Sequence, residues 1–187
     1  EVLVADASRR TTTLNAYVSG FGSTKRVVVY DTLLEGAEQP EVLTVVAHEL
    51  AHARHNDVGV GTTLGALGLA AVVAGLGWLL TSPGLRRRLG VSSLGEPQAV
   101  ALILACISIG TLLSSPLQAG VSRQMEARAD RDALEMTQDP AAFEQMQRTL
   151  CLLSLCDPTP IALTQFWFGT HPGVLQRVAL ARDAQND

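Results

Sequence analysis

Two long stretches of this 187-residue chain contain no charged residue, and they constrain its fold more than any other feature. Val58 to Leu85, and again Pro97 to Ser122, run without a Lys, Arg, Asp or Glu. Each exceeds the roughly 20 apolar residues with which a helix crosses a bilayer. The 14 basic and 18 acidic side chains all fall in the rest of the chain, at an ordinary density for a folded domain. A remainder of that size cannot wrap two apolar rods about 35–40 Å long at 1.5 Å per residue. The stretches 58–85 and 97–122 are therefore read as transmembrane helices inserted within a single domain, 1–187, that lies against membrane lipid. The pattern excludes a plain soluble protein, a disordered chain and a secreted disulfide scaffold. A net charge of −4 without a basic block argues against nucleic acid as a partner.

The chain opens at Glu1 directly into Val2-Leu3-Val4, which reads as a fragment whose N-terminal part is missing. The first 35 residues read as strands, with Gly20-Phe21-Gly22-Ser23 turning one apolar run, Leu14 to Val18, into the next, Val27 to Tyr30. From Pro40 the period becomes helical. Pro40 and Glu41 suit a first turn, and Val42, Leu43, Val45, Val46, Leu50 and Ala53 continue an apolar face to about Asp57. Arg86-Arg87-Arg88 and a short polar loop to Glu96 join the two apolar stretches. Three further helices are predicted, from Ser122 to Thr137, from about Ala141 to Leu155, and from Val174 to Ala184. Cys106, Cys151 and Cys156 contain no C-x-x-C pair and read as small buried side chains.

His48-Glu49-Leu50-Ala51-His52 carries the chemistry. On a helix, residues four apart share a face, so both imidazoles can reach one metal ion. Glu49 projects beside that ion, where it can take a proton from the water the metal activates. A catalytic zinc needs a third protein ligand and an open position. His55 shares the face, but three ligands along one straight helix cannot converge tetrahedrally. The sequence also has His55 and Val58 where the metzincin pattern needs a glycine and a third histidine, so that class is excluded. His55 is read as a polar residue near the membrane surface. A carboxylate on another helix is the better candidate. Glu126 and Asp130 are i and i+4, so one can bind zinc while the other supports a ligand imidazole. Spacing alone leaves open a pair of surface acids bridged to nearby arginines. Two membrane crossings between His52 and Glu126 return both to the same side, which puts the site near the bilayer surface.

Four blocks resemble the membrane-embedded zinc endopeptidases that include the CAAX prenyl proteases and the HtpX-type quality-control proteases. They are Asn15-Ala16-Tyr17 with Gly20 and the run Lys25 to Leu34; His48 to His52; Ser122-Arg123 through Glu126 and Asp130; and Thr170-His171-Pro172 with Arg177. The first block is closer to the CAAX prenyl protease branch. The resemblance implies an α+β, mostly α-helical, zincin-like domain with a small β-sheet. It assigns Glu126 to one Zn²⁺ per chain together with His48 and His52, and Asp130 to supporting a ligand. It gives His171 a part in stabilising the transition state and assigns Asn15, Ala16 and Tyr17 to a strand that pairs with the substrate. Arg177 is read as holding a carboxylate of the site.

The expectation is a zinc metalloendopeptidase acting on peptide or protein substrates, with Glu49 and His171 catalytic. A quality-control protease of the HtpX type is the alternative with the same chemistry. A zinc-binding membrane sensor without catalysis is the alternative of another class. An integral protein of the plasma membrane is expected. Its arginines do not decide the orientation, since three lie between the spans and Arg54, Arg123, Arg128 and Arg131 lie near the other ends. The resemblance places the catalytic side in the cytoplasm.

Overall fold

The structure, a computed structural model, describes residues 1–91 and 96–186. Residues 92–95, part of the polar loop expected between the apolar stretches, and residue 187 lie outside the described residues. The chain divides into two compact units, Glu1–Gly59 with Gln118–Asp187, and Val60–Leu117.

The first unit opens with a three-stranded sheet of β1 (Val2–Ala5), β2 (Ala16–Ser19) and β3 (Arg26–Tyr30) in the order β1-β3-β2. β3 pairs parallel to β1 and antiparallel to β2, with Ala16 opposite Val29 and Val18 opposite Val27. The β-branched run Val27-Val28-Val29 is buried and takes the central position, as its propensity favours. The β2–β3 connection needs a glycine at Gly20, where φ is +88° and a Cβ would meet Thr24 O at 2.3 Å. Strand does not continue to residue 35. Asp31 accepts hydrogen bonds from the Ala7, Ser8 and Thr32 amides, each at 2.9 Å, and turns the chain into α1 (Asp31–Gly36).

α2 (Gln39–His55) starts where Glu41 accepts from the Glu38 amide at 2.9 Å and Pro40 occupies the first turn. It stops at Asn56, which adopts the left-handed conformation, and Lys25 Nζ donates to Ala53 O at 2.7 Å over its last turn. Asp139 caps α6 (Pro140–Leu153) by accepting from the Ala142 amide. α8 (Val174–Asn186) lies against α6, tied by Glu144, which accepts from both Arg148 and Arg182. Two apolar clusters form the core. One joins Leu14, Val27, Val29 and Leu33 to Met146, and the other joins Ala47 to Ala133, Leu134, Phe143 and Ala181.

Among the described residues, two helices are long and apolar enough to cross a bilayer, α3 (Asp57–Thr81) and α5 (Pro97–Thr137). Along the most apolar, bilayer-length part of each, none of the helix is buried. α3 stops short of the expected Leu85, because Ser82 precedes Pro83 and a residue before proline is driven out of helical conformation. Pro83–Arg88 forms a separate short helix, α4. α5 is one helix rather than the two expected, and it runs through Pro116. The hydroxyls of Ser114 and Ser115 donate to Thr111 O at 3.1 and 2.7 Å beside that proline.

Two further differences concern the segment after α6. Cys151 and Cys156 form a disulfide, contrary to the reading of both as unpaired side chains. Residues five apart on a helix would not face each other, but α6 ends at Leu153 and Leu155 takes a φ of +52°, which folds Cys156 back onto Cys151. A short helix, α7 (Ala162–Phe168), then follows the Asp157–Pro160 loop, where the sequence pattern indicates none.

Phe143, 1% exposed, is the largest side chain of the second cluster. Phe143→Ala is expected to destabilise the unit by about 3–5 kcal/mol, as loss of a buried phenyl ring does. The shift of the urea unfolding midpoint of the purified chain in detergent measures it.

Candidate metal centre

The small buried residues Ala47 and Ala51 press the inner face of α2 into the unit, and this aims His48 and His52 towards α5. Their Nε2 atoms face each other at 3.0 Å. Glu126, on α5, brings Oε2 to 3.2 Å from His48 Nε2 and Oε1 to 3.5 Å from His52 Nε2. One ligand atom from each of the three residues lies within 4.8 Å of the other two, as a single metal ion requires. Among the described residues Glu126 Oε2 is buried and, beyond its ion-pair contacts with the histidines, accepts no hydrogen bond. A buried acceptor facing two imidazole nitrogens suits a cation, so the donor set fits zinc.

Each histidine is backed on its other nitrogen by a carboxylate, and each carboxylate by an arginine. His48 Nδ1 lies 3.0 Å from Asp130 Oδ1, and Arg177 Nε donates to Asp130 Oδ2 at 2.8 Å, with a second, shorter contact from the same guanidinium. His52 Nδ1 lies 2.8 Å from Asp57 Oδ2, and Arg128 donates to Asp57. This arrangement leaves Nε2 of both rings for the metal. Asp130 and Arg177 are legible in the sequence. Asp57 and Arg128 are not, and their one signal is an acid five residues beyond His52, just past the end of α2. Asn56 supplies the left-handed turn that brings Asp57 back to the ring.

Charges in the cluster are strongly coupled. Burial pushes the His48 pKa down, but Asp130 and Glu126 on its two nitrogens push it up further, to about 9. Burial opposes the charge of Glu126, Asp130 and Asp57 as well. The facing donors win in each case: the hydrogen bond from His48 for Glu126, those from His48 and Arg177 for Asp130, and those from His52 and Arg128 for Asp57 hold the carboxyl below its ordinary value. Glu49 moves the other way, since burial raises its pKa more than His48 and His52 lower it.

Glu49 projects beside the cluster, near the backbone of Val18, which works with the two histidines against its desolvation. Asn15 O accepts from the Tyr30 amide at 3.0 Å, so Asn15 and Tyr17 turn their backbone groups towards β3. The outer edge of β2 is left to Ala16 and Val18. Asn15 and Ala16 line a cavity of about 160 Å³ together with His48, Glu49, Glu126 and His171. His171 is exposed, with Nε2 3.4 Å from Glu126 Oε2, and burial lowers its pKa more than Glu126 raises it. Gln165 donates to His171 O at 2.7 Å, and Thr170 Oγ1 lies 2.9 Å from its Nδ1. His55 points elsewhere, to Asp132 at 2.8 Å.

A family model described as peptidase family M48 matches residues 2–185. The chain is 29% identical to the metalloprotease YhfN of Bacillus subtilis (strain 168), over 99% of this chain and 44% of that protein. It is 28% identical to a CAAX prenyl protease 1 homolog of Oryza sativa subsp. japonica, over 100% and 44%. With a protease HtpX homolog of Methanopyrus kandleri it shares 25% identity, over 91% and 58%. The chain thus spans about half the length of the curated relatives it matches. Its fold matches the crystal structure of S. mikatae Ste24p with a TM-score of 0.79 at 20% identity, over 97% of this chain and 46% of that one.

A metal on this cluster competes with the proton of His48. Because that proton is held up to about pH 9, zinc uptake at pH 7 is expected to release about one proton, and affinity should fall about tenfold per unit of acidification. Calorimetric titration in two buffers of different ionisation enthalpy measures the release. Asp130→Asn removes a carboxylate from His48 Nδ1 and should reduce it, whereas uptake that ignores pH would place the metal on other groups.

Proposed function

The chain belongs to peptidase family M48, a metalloprotease family whose metal is zinc, and from that premise we propose that it is a zinc-dependent membrane endopeptidase, CAAX prenyl protease-like in its chemistry. The observation that carries the proposal is the convergence of His48, His52 and Glu126 with an acid, Glu49, beside them that is not one of the three. His48, His52 and Glu126 would hold the zinc, which would supply Lewis acidity to polarise a scissile carbonyl and to ease deprotonation of the attacking water. Glu49 takes the proton of that water and passes it to the leaving amine. Its raised pKa suits both halves of the transfer, because a carboxylate with more than ordinary basicity returns as a usable acid. His171, exposed on the rim 3.4 Å from Glu126, donates to the carbonyl oxygen as negative charge develops. Asp130 and Arg177 hold His48, and Asp57 and Arg128 hold His52.

A substrate segment lies extended along the outer edge of β2 by strand addition. The backbone groups of Ala16 and Val18 face that edge; Asn15 lines the adjoining cavity, whereas the Tyr17 ring stands edge-on to Tyr30. Prenylated proteins and damaged membrane proteins are alternative substrate classes, and relatives bearing the CAAX prenyl protease and HtpX names support each.

α3 and the first part of α5 cross the bilayer, and the exposure of Trp78 among the apolar side chains of α3 supports this. Extraction of the protein by alkaline carbonate without detergent would contradict the crossing. The family resemblance supports a catalytic side that faces the cytoplasm, and the plasma membrane is the membrane proposed. The Cys151–Cys156 disulfide favours the opposite face, since disulfides persist in oxidising compartments. Labelling of an engineered cysteine on α8 in intact cells by an impermeant maleimide decides between the two.

Glu49→Gln keeps the shape of the side chain and cannot take the proton. Its hydrolysis of a general peptide substrate is expected to fall by about 10²–10⁴, with zinc content unchanged by elemental analysis. Loss of zinc would make Glu49 a ligand instead. An undiminished rate would place the chemistry elsewhere, and a wild-type protein that binds zinc without turnover would favour the sensor.

A further inference from the structure

The segment from Cys151 to Thr170 carries a single acidic or basic side chain, Asp157, yet most of its apolar side chains face outward. Leu152, Leu155, Ile161, Leu163, Phe166 and Phe168 are all exposed. Leu155 is the extreme case at 91%, and its backbone sits at φ +52°. A bulky L-residue enters that left-handed region only against a steric cost, and here the Cys151–Cys156 disulfide closes the turn that holds it there. The turn and α7 border a common cavity, lined among others by Ser154, Cys156, Gln165 and Phe168. Soluble surfaces rarely expose so many large apolar side chains along one short segment.

The position of this patch along α5 identifies what covers it. Arg123 Nη1 donates to Gln165 O at 3.0 Å and to Gly169 O at 2.6 Å, which caps the C-terminal carbonyls of α7. Arg123 is also the first charged residue after the charge-free stretch that ends at Ser122. If that stretch spans the bilayer, Arg123 marks the level at which α5 leaves it, and α7 is fastened to α5 at that level. An apolar helix with Phe166, Trp167 and Phe168 in sequence is suited to that depth, since aromatic side chains collect at the boundary between acyl chains and water.

We propose that the disulfide-closed turn after α6 and helix α7 form a membrane-docking surface that rests in the bilayer interface, with Leu155, Leu163, Phe166 and Phe168 entering the lipid. The proposal builds on the reading that α3 and the first part of α5 span the membrane. It gives the loop bearing His171 a second anchor, because Gln165 of the docked helix donates to His171 O. The cleft beside His171 then opens at the lipid surface, where it meets peptide segments emerging from a bilayer.

Tryptophan fluorescence of the whole chain reconstituted in phosphatidylcholine vesicles tests this. In one protein Trp167→Phe leaves Trp78 as the only reporter. In two others Trp78→Phe and Trp167→Phe are combined with Phe168→Trp or with Leu155→Trp. Each is compared in vesicles with and without brominated acyl chains, and with iodide in the water. Both new reporters are expected to lose emission to the brominated chains, to emit further to the blue than in detergent-free denaturant, and to be shielded from iodide. Loss of the Trp78 signal to bromine with none at 155 or 168, and quenching of these by iodide, would overturn the docking surface while leaving the spanning helices in place. Quenching at 155 and 168 by neither agent would mean that protein covers the patch, which also overturns the proposal. If Trp78 itself escapes bromine, the spanning reading fails first and the docking surface falls with it.

Discussion

Asp130 can stay ionised at 1% exposure because the His48 ring and the Arg177 guanidinium both reach it, and the rest of the centre is arranged around that requirement. A buried carboxylate without a partner would take up a proton or destabilise the fold. Here His48 from α2 and Arg177 from α8 meet it on α5, so one charge ties α2, α5 and α8 together at the site. The same contact aligns the imidazole. With Nδ1 held by Asp130, the Nε2 of His48 has one direction left, towards Glu126 and His52. Packing and ligand geometry are in this sense the same interaction, and the alanines at 47, 129 and 133 allow the helices to come close enough to make it.

His52 repeats the arrangement with Asp57 and Arg128, but at a different place in the chain. Asp57 is the last charged residue before the first apolar stretch, and Arg123, which holds the loop of His171, is the first after the second. Both sequence boundaries of the apolar insertion are thus wired into the centre: one to the ring of a candidate ligand, the other to the carbonyls of the segment that carries His171. A long insertion between His52 and Glu126 is compatible with a fixed site because its two roots are fastened by charge-assisted hydrogen bonds.

What can be read from the sequence follows the range of the interactions involved. The His48–His52 pair and the Glu126–Asp130 pair are legible because each depends on the i, i+4 geometry of a single helix. The two apolar stretches are legible because absence of charge over the length of a membrane crossing is a property of composition. The β2–β3 pairing is announced by glycines between β-branched runs. Asp57 is not legible, since its role depends on Asn56 taking a left-handed turn that most asparagines do not take. The disulfide escapes notice because a spacing of five suits neither a helix nor a familiar metal pair, and the pairing depends on where α6 stops. α7 is hidden by its own composition: it is too short to establish a period, and its apolar side chains are not turned towards a core.

The opposite pKa shifts of Glu49 and Glu126 show how one small cluster separates two carboxylates into different roles. Both are partly buried, and burial alone would raise both. Glu126 faces His48, His52 and His171, and the hydrogen bond from His48 together with the pull of the rings outweighs its desolvation and holds its pKa down, which suits it to hold a cation. Glu49 sits next to His48 in sequence but projects from a different side of the helix, towards the backbone of Val18, where the same histidines act only at a distance and the charge of Glu126 works against it. Its basicity is therefore raised rather than lowered. A chain that placed both acids on the ligand face would have two carboxylates competing for one cation and none free to move a proton. The offset of about 100° between successive helical residues, fixed by adjacent positions in the sequence, is enough to prevent that.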